Sequence, residues 1–216
     1  MKYDLVIFDL DGTLLDTLDD LAAAVNHALT ANGFPTLGRE EVRRLIGNGI
    51  ASTIRRALPP EASDECRDRV LSDFRAYYLQ NLSVHTRPFD GIIDLLDALN
   101  AAGIIVAVNS NKLDDAAQAL CDEHLGRRVQ LALGEREGVP RKPAPDGAKS
   151  IMERSAVGPL RTLYVGDGEA DIMTARNAGI DGAWVSWGYR TADELRELDI
   201  PLQFHDAESL LDYILE

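Results

Sequence analysis

Cysteine is nearly absent: Cys66 and Cys121 are the only two among 216 residues, far apart and in no metal-like spacing. Two thiols cannot form the disulfide framework of a small secreted domain, so the composition predicts a reduced, cytoplasmic setting, with one bridge between them left open. The four histidines, His27, His85, His124 and His205, form no HxxxH or HxH pair, which argues against a zinc centre. Aromatic residues make up only 6%, so the core must rest on Leu, Ile, Val and Ala. No apolar run approaches the roughly 18 residues a membrane span needs. No basic stretch followed by a removable apolar segment precedes the strand-like sequence that begins at Tyr3. Positive charge is also short, with 22 Lys+Arg against 36 Asp+Glu and a net charge of −14. Such a surface repels phosphate backbones and anionic lipids, so neither a nucleic acid nor a membrane is expected as partner. An anionic ligand would need a metal or a local basic cluster to reverse the field.

What is present reads as a folded enzyme-sized chain. Hydrophobic residues at 45% and charged residues at 27% exclude global disorder. Tyr3–Leu10 (YDLVIFDL) reads as a buried strand. Apolar residues at helical spacing follow through Leu18, Leu21, Val25 and Leu29, with Gly33 placed to end the helix. Further helices are predicted at Arg39–Ile46, Ile50–Leu58 and about Glu61–Leu82. From Arg87 the pattern alternates. Helices Ile92–Ala102, Leu113–Leu125, Asp146–Ser155 and Ala170–Ala178 are interleaved with strands Ile104–Asn109, Val129–Leu133, Thr162–Val165 and Gly182–Ser186. That alternation predicts an α/β fold, a doubly wound parallel sheet of Rossmann type with an inserted block of four helices. The expected division is a core of residues 1–15 and 86–216 and a helical insertion of residues 16–85, hinged near Leu14–Thr17 and Val84–Pro88.

Ligands of doubly wound sheets bind outside the carboxyl ends of the strands. Those ends carry Asp9 and Asp11, then Ser110, Asn111 and Lys112, then Asp167, Glu169 and Asp171, with Arg141 and Lys142 just before helix Asp146–Ser155. Carboxylates sharing one cleft repel unless a cation bridges them, and oxygen-only donors favour Mg²⁺ over zinc. Lys142 and the Ser110 hydroxyl suit phosphoryl oxygens. Of Asp9 and Asp11, one can attack phosphorus while the other donates and accepts a proton.

These segments resemble the four motifs of the haloacid dehalogenase-like phosphotransferase superfamily, in order and spacing: Val6–Thr17 (VIFDLDGTLLDT), Val106–Lys112 (VAVNSNK), Arg141–Gly147 (RKPAPDG) and Leu163–Gly179 (LYVGDGEADIMTARNAG). The resemblance implies that Asp9 is a nucleophile forming an aspartyl-phosphate and Asp11 the general acid/base. It implies that Asp9, the Asp11 carbonyl and Asp167 hold Mg²⁺. Ser110 and Lys142 would hold the phosphoryl group, with Gly12, Thr13 and Asn111 lining its pocket. Asp171 would support the metal or Lys142 from behind, and Glu169 would either touch the metal through water or be exposed. Gly168 departs from the Ser or Thr common at that position in the superfamily. The presence of Asp11 separates this chain from true dehalogenases, which need no leaving-group acid.

The insertion resembles the family's helical cap. Arg43–Gly49 (RRLIGNG) and His85–Gly91 (HTRPFDG) are similar to segments of phosphoglycolate phosphatases. Arg43 and Arg44 are either a solvated helix face or substrate contacts. The implied activity is Mg²⁺-dependent hydrolysis of a small phosphate ester, with 2-phosphoglycolate as the single best candidate, by a monomer or homodimer. The alternatives are a beta-phosphoglucomutase-like mutase, an inorganic pyrophosphatase and a receiver-like signalling module. A receiver would need a phosphoacceptor Asp where Ser110 stands.

Overall fold

The computed structural model describes residues 1–216. The first strand, β1 (Leu5–Phe8), leads through β2 (Leu15–Asp16) into four helices, α1 (Leu18–Ala31), α2 (Arg39–Leu45), α3 (Ile50–Ala57) and α4 (Asp64–Gln80). The chain returns by β3 (Arg87–Pro88) and continues as α5 (Ile92–Ala101), β4 (Ile105–Leu113), α6 (Asp114–Leu120) and β5 (Leu131–Glu135). It ends with α7 (Asp146–Ser155), β6 (Thr162–Gly166), α8 (Glu169–Ala178), β7 (Asp181–Val185), β8 (Leu202–Phe204) and α9 (Ala207–Leu215). Six strands form one parallel sheet in the order β5-β4-β1-β6-β7-β8. Connections therefore run outward in both directions from β1, which places its carboxyl end at the crevice where such sheets bind ligands.

The period-two geometry of β1 explains the two core layers. Val6 and Phe8 join Leu95 and Leu99 of α5 and Leu210 of α9 on one face. Leu5 and Ile7 join Ala148 and Ile151 of α7 and Ala175 of α8 on the other. The four-helix block has a separate apolar cluster. In it Leu18, Leu21, Val25 and Leu29 of α1 meet Val70, Phe74 and Tyr78 of α4 at the three- and four-residue spacing of helix faces.

The two crossings between block and sheet lie side by side, because β2 pairs antiparallel with β3, Leu15 opposite Pro88 and Asp16 opposite Arg87. Asp20, on the first turn of α1 and 3% exposed, reinforces this junction. Its carboxylate accepts from the main-chain N–H of His85 and Thr86 and from the Thr86 hydroxyl, at 2.7 to 3.0 Å.

Several boundaries differ from the expectation. Strand β4 does not stop at Asn109: it continues to Leu113 with a register shift against β5 between Asn109 and Leu113. Ser110, Asn111 and Lys112 look unlike a strand, yet this irregular stretch keeps them buried at 5, 9 and 7% exposure. Strand β5 starts two residues later than predicted, because the Gln130 side chain accepts from the Val106 N–H at 2.8 Å before regular pairing begins. Helix α6 gives way to a π-helical turn at Cys121–Leu125. Strand β8 and α9 lie beyond the last predicted strand, and α9 is capped by Asp206, which accepts from the Ser209 N–H at 2.7 Å. Both cysteines are free thiols. No helix is long and apolar enough to cross a membrane.

Candidate active site

Three carboxylates converge at the ends of the central strands. Asp9 follows β1, Asp167 follows β6 and Asp171 lies on the first turn of α8, with ligand atoms all within 4.8 Å of one another. Lys142, in the loop before α7, places its ammonium 2.8 Å from Asp9 Oδ1 and 2.7 Å from Asp171 Oδ1. The remaining Asp171 oxygen accepts from the Gly168 N–H at 3.0 Å, which ends the amino terminus of α8. Gly168 is the N-cap there and supplies no side-chain acceptor for the free N–H groups of the first turn of α8. Asp9 Oδ1 also accepts from the Leu10 N–H at 2.7 Å, so no protein donor occupies Asp9 Oδ2.

Glycine at position 12 is a steric requirement. Its φ is +84°, and a Cβ there would stand 2.6 Å from Asp167 Oδ2. The turn after β1 thereby lies flat against Asp167. Thr13 does not reach outward; it is fully buried, with its hydroxyl 3.4 Å from Asp167 Oδ1.

Charge is unbalanced at this point. Three carboxylates against the one Lys142 ammonium leave two negative charges, the deficit a divalent cation would neutralise. Burial, reinforced by Asp171 and Asp167 and opposed by Lys142, pushes the Asp9 carboxyl up to about 8. Burial and Asp171 push Asp167 up to about 7, against the Tyr189 N–H, Arg190 and Lys142. Burial works against the Lys142 charge, but Asp171 and Asp9 hold it well above the usual lysine range. An oxygen-only donor set with excess negative charge fits a hard ion such as Mg²⁺.

Above this group lies a cavity of about 280 Å³ between the strand ends and the helical block. Asp9, Asp11, Ser110, Asn111, Asp167 and Asp171 face it from the sheet side, and Arg44, Ile46, Asn48, Arg56 and Tyr78 from the helices. Glu169 is exposed at its edge and is not one of the clustered carboxylates. Gly12, Thr13 and Lys142 do not line the cavity. The first two pack against Asp167, and the buried Lys142 ammonium is engaged by Asp9 and Asp171. The Asp11 carboxylate is turned away from the other three, toward Lys112 at 2.8 Å and the Thr17 hydroxyl at 2.6 Å. Asn111 joins the layers: its amide nitrogen donates to the carbonyls of Gly47 and Lys142, both at 3.2 Å. Its Oδ1 accepts from the Lys142 N–H at 2.9 Å.

Strand β7 and the segment after it carry none of the four motifs' polar residues, yet they support the site throughout. Tyr189 donates its N–H to Asp167 Oδ2 at 2.6 Å. Trp184 and Trp187, the only two tryptophans, donate their indole N–H groups to the carbonyls of Asp167 and Thr13, each at 3.0 Å. Arg190 donates to the carbonyls of Arg43 and Ile46 on the helical block. A tryptophan pair beside a glycine in an aromatic-poor chain was the available signal. Of the two arginines left open, Arg43 is tied to the Tyr189 carbonyl and to Glu40 and Glu194, while Arg44 lines the cavity.

The chain is similar to known proteins over most of its length. A family model described as haloacid dehalogenase-like hydrolase matches residues 6–185. A phosphoglycolate phosphatase of Vibrio vulnificus (strain YJ016) is 32% identical over 98% of this chain and 96% of its own length. The Aquifex aeolicus (strain VF5) phosphoglycolate phosphatase is 33% identical over 85% of each chain. Among solved structures, a candidate phosphoglycolate phosphatase of Lactobacillus delbrueckii subsp. bulgaricus superposes with a TM-score of 0.95 at 34% identity, covering 99% of both chains.

Proposed function

Because the chain belongs to the haloacid dehalogenase-like hydrolase family, in its phosphoglycolate phosphatase-like branch, we propose that this phosphoric monoester hydrolase cleaves 2-phosphoglycolate through a phosphoryl-Asp9 intermediate. The observation that carries the reading is the Asp9 carboxylate, paired with buried Lys142 at 2.8 Å and grouped with Asp167 and Asp171 at the strand ends. Asp9 Oδ2, free of protein donors, is the attacking atom. The Ser110 hydroxyl on the cavity wall receives a phosphoryl oxygen, and Lys142, held in place by Asp171, supplies the positive charge beside the attacking carboxylate. Asp11 donates a proton to the departing alkoxide and then takes one from the water that opens the intermediate.

Asp9, Asp167 and the main-chain carbonyl of Asp11 would hold Mg²⁺, which when bound offsets the negative charge shared by phosphate ester and nucleophile. Residues 16–85 act as a cap that excludes water from the cavity and selects the substrate, over a core formed by residues 1–15 and 86–216. Arg44 and Arg56 on the cap wall provide positive charge for a substrate carboxylate in a chain of net charge −14. Free thiols at both cysteines support a cytoplasmic enzyme.

The test is phosphate release with Mg²⁺ across 2-phosphoglycolate, sugar phosphates, pyrophosphate and an aryl phosphate, with Asp9→Asn as blank. A clear preference for 2-phosphoglycolate is expected. Better turnover of another ester would overturn the substrate and leave the chemistry. No release above the blank from any of them would overturn the hydrolytic mechanism.

A further inference from the structure

One buried cation has no part in the chemistry above. The Lys112 side chain is 3% exposed, and its ammonium donates to both carboxylate oxygens of Asp11, at 2.8 and 3.0 Å. Its other face is covered by Tyr78 of α4, whose ring centre lies 4.8 Å from the nitrogen. Tyr78 is itself 2% exposed and stacked on Phe74, with 5.2 Å between ring centres. Thr17, the N-cap of α1, completes the arrangement by donating its hydroxyl to Asp11 Oδ1 at 2.6 Å.

A desolvated ammonium is costly unless paired, and Asp11 is its one carboxylate partner. The pairing has two consequences. A carboxylate gripped at both oxygens by one lysine and at one by a hydroxyl loses its rotational freedom, so its direction toward the cavity is set. The lysine that sets it is wedged against a helix of the inserted block, so that direction depends on where α4 lies. Lys142 cannot substitute, since Asp9 and Asp171 already engage it.

We propose that Lys112 is a positioning residue for Asp11, and that Tyr78 couples the placement of Asp11 to the seating of the helical block. The proposal rests on the reading of Asp11 as the acid that protonates the leaving group. In that step the bond from phosphorus to the leaving oxygen breaks, a bond from phosphorus to Asp9 forms, and the Asp11 proton goes to the leaving oxygen. A misplacement of about 1 Å in such a group costs on the order of a hundredfold in rate.

Leaving-group dependence of kcat/KM tests it, because kcat/KM reports only steps up to departure of the leaving group. An alkyl alkoxide needs the proton, whereas 4-nitrophenolate departs without it. The full-length enzyme with Mg²⁺ is assayed with an alkyl phosphate and with 4-nitrophenyl phosphate, and the Ki of inorganic phosphate is measured alongside. In K112M the alkyl-to-aryl ratio is expected to fall about tenfold or more, with Ki changed less than about threefold. K112R, which keeps the charge, should recover most of the ratio. Y78L should lower it in the same direction, by a smaller factor.

An unchanged ratio in K112M, or a loss matched by weaker phosphate binding, would overturn the proposal and leave Lys112 as a substrate contact or a packing residue. Should K112M fail to fold, the Y78L ratio decides in its place, and no change there overturns the coupling. D11N separates the two levels. If D11N collapses the ratio and K112M does not, only this proposal falls. If D11N leaves it unchanged, the acid role of Asp11 falls and the proposal with it.

Discussion

The main-chain N–H of Tyr189 donates to Asp167 Oδ2 at 2.6 Å, while the hydroxyl of the same tyrosine accepts from the Thr17 N–H at 2.7 Å. One residue thus ties a site carboxylate to the start of the helical block. The two contacts separate under substitution. Tyr189→Phe leaves the fully buried Thr17 N–H without its acceptor and should cost about 1–3 kcal/mol in urea unfolding. The contact to Asp167 is made by the main chain, so Mg²⁺ affinity measured by titration calorimetry should stay within about twofold of the parent.

Gly188 allows a much closer approach. A Cβ at this position would overlap the carbonyl oxygen of Gly12 and the side chain of Asp167. Neither neighbour is the far end of a flexible chain, so Gly188→Ala must displace Asp167 itself. The expected result is a loss of about a hundredfold or more in kcat/KM, with far-ultraviolet circular dichroism unchanged.

Asp20 carries the junction between block and sheet. Its buried carboxylate is the acceptor for His85 N–H, Thr86 N–H and the Thr86 hydroxyl. Asp20→Ala strands these donors and should destabilise the protein by about 3 kcal/mol or more in urea unfolding, with Asp20→Asn falling between it and the parent.

The clustered carboxylates make stability depend on pH and on metal. Asp9 and Asp167 are raised to about 8 and about 7, against an unfolded value near 3.9. The folded protein therefore keeps protons that the unfolded chain releases. The stability these groups contribute is full below about pH 4 and is lost as pH rises through 7 to 8. Without added metal, the unfolding free energy should fall between about pH 5 and pH 8.5, and the Asp167→Asn curve should be flatter. Mg²⁺ at about a hundredfold excess over its Kd should restore about 2.7 kcal/mol at the upper end of that range. Equal slopes in parent and variant would contradict this assignment.

Much of this protein was legible in the chain because the relevant signals are local. The run Leu5–Phe8 is apolar on both faces, so only a central strand can satisfy it. Helix α7 appears with the predicted bounds, Asp146–Ser155, because its apolar residues repeat at helical spacing between clear breakers. Asp9, Asp167, Asp171 and Lys142 were found from their places near strand ends and in motifs, and the structure brings those four together. What only the tertiary structure decided is how these groups are oriented and supported. Lys112 and Asp11 are 101 residues apart, and Tyr189 and Asp167 are 22 apart, with no shared periodicity to announce either pair. A lone lysine, tyrosine or glycine has the same local signature on a surface as beneath an active site. Its partner is chosen by the crossing of β4, α4 and the segment after β7, and that crossing is a property of the packed chain.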